Sequence, residues 1–211
     1  QGKLLGVIEI DDIVDIITEE AEEDILRLAG VEETDIHSKP ALTARHRFPW
    51  LFINLLTAIL ASAVIAMFSH SIEQIVALAV MMPIVASMGG NAGTQSVTVA
   101  VRALATKDLN DKNARRVIYK EMLVGLFNGI ALAIICGVVA YFYYHSISLS
   151  FVFASAIIVT LVAAGFAGAW IPLLLERMRI DPAIASTVFL TTVTDVVGFL
   201  AFLGVATLLL L

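Results

Sequence analysis

Five long apolar runs constrain this chain more than any other feature. They are Trp50–Phe68, Ile75–Val101, Met122–Tyr144, Phe151–Leu175 and Ala183–Leu211. Each is close to or longer than the roughly 20 residues a helix needs to cross the hydrocarbon core. The runs are continuous, not alternating, which favours helices over a barrel. Composition agrees: 59% of the 211 residues are hydrophobic and 15% charged, against about 45–50% and about 25% in soluble domains. The expected fold class is all-α, a polytopic membrane protein with five transmembrane helices. The lone Cys136 excludes an intrachain disulfide. Gln1 opens without a signal-peptide pattern, and the missing Met reads as a piece of something longer.

Basic residues predict the orientation. Arg45 and Arg47 precede the first run, six Lys and Arg between Arg102 and Lys120 separate the second and third, and Arg177 and Arg179 separate the fourth and fifth. The connections Ser69–Gln74 and His145–Ser150 contain none. Five spans therefore put every such Lys and Arg on one side, with the N-terminus cytoplasmic and the C-terminus outside. Adding or losing a span would scramble the partition. Pro49 is expected in the first turn of span one, and Asp181-Pro182 is expected to cap and open span five.

The net charge of −6 hides two parts, since twelve of the 19 acids fall within Glu9–Asp35. An acidic N-terminal segment therefore precedes a membrane domain with basic loops. No basic stripe with interleaved aromatics suggests a nucleic-acid partner. His37, His46, His70 and His145 lie at or beyond span ends, without zinc-site spacing.

Against this background Asp195 stands out as the only charged side chain between Ala183 and Leu211. A charge at bilayer depth costs at least about 2.5–3.5 kcal/mol. It serves an ion path, a proton relay or a buried pair; a protonated Asp195 making a helix–helix hydrogen bond is the plain alternative. Thr191 lies one turn away on the same face, although mid-helix threonines often bond back to their own helix. In span two, Gly89, Gly90, Asn91, Thr94, Gln95 and Ser96 cluster at membrane depth after Pro83. Such a stretch is either close-packing glue or the lining of a pathway, and composition leaves both open.

Residue order goes further. PIVASMGGNAGTQSVTVAVRALA, residues 83–105, resembles the MgtE family of magnesium channels, as does Thr194-Asp195-Val196-Val197-Gly198. Arg47-Phe48-Pro49-Trp50-Leu51 and Lys120-Glu121-Met122 are similar to the same family. Residues Gly2–Val14 resemble the last strand and helix of a cystathionine-β-synthase (CBS) domain, which precedes the membrane domain in that family. The implied domains are the end of a CBS domain over 1–30, a connecting (plug) segment over 31–48 and a five-helix channel domain over 49–211.

The resemblance implies a homodimer in a bacterial inner membrane, with a pore at the dimer axis lined by spans two and five and closed by cytoplasmic Mg²⁺. Magnesium prefers octahedral oxygen and sheds water reluctantly, so a carboxylate from each chain would grip the hydrated ion. Implied ion contacts are Asp195 first, then Gly89, Gly90, Asn91 and Thr94, with Thr191 behind them. The acids of Asp11–Asp24 read either as the solvated face of an amphipathic helix or as a magnesium sensor. Asp181 is either a bridging acid for that sensor or simply a helix cap. A carrier coupled to protons or sodium through Asp195 is the alternative function. An intramembrane aspartyl protease needs two facing aspartates and a GxGD motif, which this chain lacks.

Overall fold

A computed structural model describes residues 39–110 and 112–211, with isolated positions 10, 11, 13, 16 and 26. The proposed CBS remnant and most of the acidic segment lie outside the described residues, as does the connecting segment before residue 39. The helices are α1 (Pro40–Ala66), α2 (Ser69–Gln74), α3 (Ala77–Ala105), α4 (Ala114–Tyr144), α5 (Ile147–Arg177) and α6 (Pro182–Leu210). Among the described residues there is no strand. Among the described residues five helices are long and apolar enough to cross a membrane, namely α1, α3, α4, α5 and α6 from Ser186 onward.

Two boundaries differ from expectation. Span one begins earlier, because Pro40 occupies the opening position of α1 and Pro49 lies inside the helix. Pro40 supplies the preset φ that suits a first turn. Pro49 removes only the bond to the Arg45 carbonyl, and Arg45 is exposed, where water can replace it. The connection Ser69–Gln74 is itself a short helix. Its Ser71 hydroxyl pairs with Thr207 Oγ1 at 2.7 Å, tying α2 to the end of α6. Ala114–Glu121 is helical and continues into span three, as expected.

The packing centres on α5, which lies against α3, α4 and α6, while α3 and α4 scarcely touch. Antiparallel neighbours show in the contacts themselves. On α4 and α5, Gly125 abuts Leu161 and Gly129 abuts Ile158; on α3 and α6, Gly89 abuts Thr194 and Gly93 abuts Leu190. The main core lies toward the end without basic residues, where Val85, Val152, Ile157, Leu161, Phe202 and Leu203 are fully buried. Phe153 and Phe202 meet there at 5.8 Å between ring centroids. By contrast α1 packs on α6 and leaves Leu51, Leu55, Leu56, Ile59 and Leu60 exposed.

Candidate functional site

The second apolar run owes its two characters to helical periodicity. On α3, Val85, Gly89, Gly93, Ser96, Val97 and Ala100 turn inward and are buried. Ser87, Asn91, Thr94 and Thr98 recur at spacings of three or four residues and form an exposed outward stripe. Their donors are largely spent within the helix. Thr94 Oγ1 donates to the Gly90 carbonyl at 2.8 Å and Thr98 Oγ1 to the Thr94 carbonyl at 2.9 Å. Asn91 Nδ2 points to Ser87 Oγ at 3.4 Å, leaving the amide oxygen unspent. The outward stripe therefore offers acceptors, the polarity that suits the water shell of a hard cation.

Gly89 and Gly90 have different surroundings. A Cβ at Gly89 would lie 2.6 Å from Thr160 Cγ2 and 3.3 Å from Thr194 Cβ, so this glycine allows α3 to approach α5 and α6. A Cβ at Gly90 would meet nothing within 4 Å. Packing within this chain therefore does not require a glycine at position 90.

Helix α6 supplies the charge. Thr194 is fully buried against Gly89, which turns the next residue, Asp195, toward the half-buried flank. Thr191, also half-buried, lies one turn earlier. Its Oγ1 donates back to the Thr187 and Val188 carbonyls at 3.1 and 3.0 Å, the bonding expected of a mid-helix threonine. Since Gly93 abuts Leu190 and Gly89 abuts Thr194, Asn91 lies at the level of Thr192, within about a turn of Asp195.

Asp181 is elsewhere. It caps α6, accepting from the Ala183 N–H at 2.8 Å, with Pro182 opening the helix. Fourteen residues of helix put it about 21 Å along the axis from Asp195. Asp195, Asn91, Gly90, Thr94 and Thr191 thus lie within about two turns of one another in depth on the paired helices α3 and α6. Gly89 stands behind them, and Asp181 does not join them.

Sequence reasoning missed Ser87 and Thr98, although their spacing from Asn91 and Thr94 is a legible helical period. It also left Glu121 without a role of its own. That carboxylate is 6% exposed and accepts from Ser96 Oγ at 2.9 Å, joining α4 to α3. Lys120 Nζ stands 3.9 Å from its other oxygen. Ser96 therefore faces the scaffold, away from the outward stripe. Thr160 Oγ1 is buried without a partner between Gly89 and Gly198. No group of three or more His, Cys, Asp or Glu gathers among the described residues, so Asp195 joins no chelating cluster among them.

Fold and seam together define a polytopic helical membrane protein with acceptor-bearing polar groups turned outward at bilayer depth. A family model described as a divalent cation transporter, MgtE, matches residues 82–205. The Magnesium transporter MgtE of Thermus thermophilus is 38% identical over 213 residues, covering 100% of this chain and 47% of that protein. The protein of the same name from Bacillus subtilis is 34% identical over 205 residues, or 97% of this chain and 46% of the relative. That from Enterococcus faecalis is 36% identical over 205 residues, or 97% of this chain and 45% of the relative. The chain belongs to the MgtE family, and it spans about half the length of the curated relatives it matches.

Proposed function

We propose that this chain forms the membrane pathway of a magnesium channel, in which two copies bring their α3–α6 surfaces together around hydrated Mg²⁺. The observation that carries this reading is the outward stripe Ser87–Asn91–Thr94–Thr98 on α3, with Asp195 at similar depth on the paired helix α6. Polar groups and a carboxylate at bilayer depth are costly against lipid and belong on a protein- or water-lined surface. A second copy related by a two-fold axis would supply both the cover and a second Asp195. Two carboxylates then oppose the charge of one divalent ion, and the acceptor stripe receives its water shell. Gly90, open on its own protomer, allows that close approach.

The relatives are named magnesium transporters, which supports Mg²⁺ as cargo and transport over enzymatic chemistry. The basic ends face the cytoplasm by the positive-inside rule. The N-terminal acids would sense cytoplasmic Mg²⁺ and close the pathway, with Asp181 at the same end of α6. Residues 1–30 would end a CBS domain and 31–48 connect it to the channel.

Single-channel recording tests the channel reading. Unitary divalent currents, and monovalent currents blocked by low magnesium, are expected. Transport with no unitary steps and a fixed stoichiometry with protons or sodium would establish the carrier instead.

A further inference from the structure

A second polar site lies at the basic end of the bundle, remote from Asp195. A cavity of about 470 Å³ opens between the turn after α3 and the last turn of α5, lined by Leu104, Lys107, Leu109, Asn110, Glu176 and Arg177. It adjoins the ends of the second and fourth apolar runs, which stop at Val101 and Leu175. That position is the boundary between hydrocarbon and headgroups.

The loop that forms one wall is tightly organised. Leu109 is 3% exposed and packs with Ala100, Ala114 and Leu173. Its N–H donates to the Ala103 carbonyl at 2.8 Å. Asn113 Nδ2 donates to the Asp108 carbonyl at 2.6 Å, and Thr106 Oγ1 to Asp108 Oδ2 at 2.8 Å. Asn110 Oδ1 accepts from the N–H groups of Lys112 and Asn113 at 3.1 and 3.3 Å. Its amide NH₂ is therefore the part left to donate.

Two helices end beside this cavity, and bare helix C-termini would repel an anion. Here the final carbonyls are engaged. Thr106 N–H donates to Arg102, Lys107 to Leu104, Met178 to Leu174, Arg179 to Glu176 and Ile180 to Leu175. Lys107 and Arg179 have φ of 60° and 58°, the left-handed conformation that glycine usually supplies after a helix. Each helix end carries a cation at the position where glycine would cost least.

We infer that this cavity binds the phosphodiester headgroup of an anionic phospholipid, held by Lys107, Arg177 and the Asn110 amide, with Leu104 and Leu109 against its glycerol end. The charge balance favours a lipid over free phosphate. Among the side chains that line the cavity, Lys107 and Arg177 offset by Glu176 leave one net positive charge, while the Asp108 carboxylate in the wall loop is held by Thr106 outside the lining; that balance matches a monoanionic diester better than a more highly charged phosphate. Basic pockets between transmembrane helices are known to take such headgroups.

The test uses the intact protein purified in detergent, with lipid retention followed by native mass spectrometry against phosphatidylglycerol and phosphatidylcholine. Phosphatidylglycerol should be preferred. Lys107→Gln should weaken its retention roughly fivefold, Lys107→Arg should restore it, and Lys112→Gln, an equal charge change outside the cavity, should leave it intact. Three results overturn the proposal: retention unaffected by Lys107→Gln; equal loss in Lys107→Gln and Lys112→Gln, which would reflect the general field of the basic end; or displacement of the lipid by millimolar inorganic phosphate.

Discussion

The α4–α5 seam and the α3–α6 seam are both closed by glycines, yet those glycines meet different things. A Cβ at Gly125 would strike the Leu161 carbonyl oxygen, and one at Gly165 the Glu121 carbonyl oxygen. A Cβ at Gly129 would lie 3.1 Å from Ile158 Cα. These are contacts with backbone, which cannot yield without moving a helix. Across α3–α6 the obstacles are side chains. Gly93 meets Leu190 Cδ1 at 2.6 Å, and Gly198 meets Val85 Cγ1 and Thr160 Oγ1 at 3.2 Å. A seam of backbone on backbone is a scaffold, whereas a seam of backbone on side chain can adjust by rotamer. The adjustable seam is also the one that carries Asp195 and the outward acceptors. The chain thus pairs a seam locked by backbone with a seam that side chains can adjust.

The strongest break in that contrast comes from Asp195→Asn. The change keeps shape and removes the charge from the α3–α6 surface. Each lost charge-assisted contact is worth about 1.5–3 kcal/mol. Two at a shared axis predict divalent affinity weaker by roughly a hundredfold to ten-thousandfold. Magnesium titration of block or uptake measures it, while the amount of folded protein in the membrane should not fall. Unchanged affinity would remove Asp195 from the pathway.

The next effect lies on the rigid seam. Gly165→Ala forces α5 away from α4 and should cost about 3 kcal/mol, the upper part of the range for overpacking. Gly93→Ala has a flexible leucine end to displace and should cost about 1 kcal/mol. Unfolding in detergent compares the two. Equal losses would erase the distinction between the seams.

Gly90→Ala sharpens the comparison further. Its added methyl group meets nothing in its own protomer, so protomer stability should not fall and should rise by up to about 1 kcal/mol from helix propensity. Transport should nevertheless fall, because the methyl group enters the space shared with a second copy. Normal transport would place Gly90 on a lipid face.

Much of this contrast was legible in the sequence. Uninterrupted apolar length gave the five spans, and the distribution of Lys and Arg gave their alternation. Asp195 announced itself as the only charge in its run, and Asp181-Pro182 as a cap. The inward and outward faces of α3 were harder to read. Glycine, serine and threonine are small enough for either face, so hydrophobic periodicity fades over residues 86–98. Ser96 and Thr94 look alike in such a stretch, yet one bonds to Glu121 and the other faces outward. The Ser96–Glu121 pair needs two helices that scarcely touch to meet across the small residues of α5, and no local pattern encodes that. Pro49 misled for a related reason. A proline before an apolar run signals a helix start, but Pro40 already provides one.

The central claim is that the outward face of α3 and Asp195 border one hydrated path. Cysteine accessibility tests it most directly, in a Cys136→Ser background. Single variants Ser87→Cys, Asn91→Cys, Thr94→Cys, Thr98→Cys and Asp195→Cys would be treated with a charged, membrane-impermeant thiol reagent applied from both sides. Phe127→Cys and Ile134→Cys, at exposed apolar positions on α4, serve as the lipid-facing reference. The account predicts modification along the α3 stripe and at Asp195→Cys, no modification at the α4 positions, and protection of the α3 stripe by millimolar magnesium. A stripe as unreactive as Phe127→Cys and Ile134→Cys would contradict it.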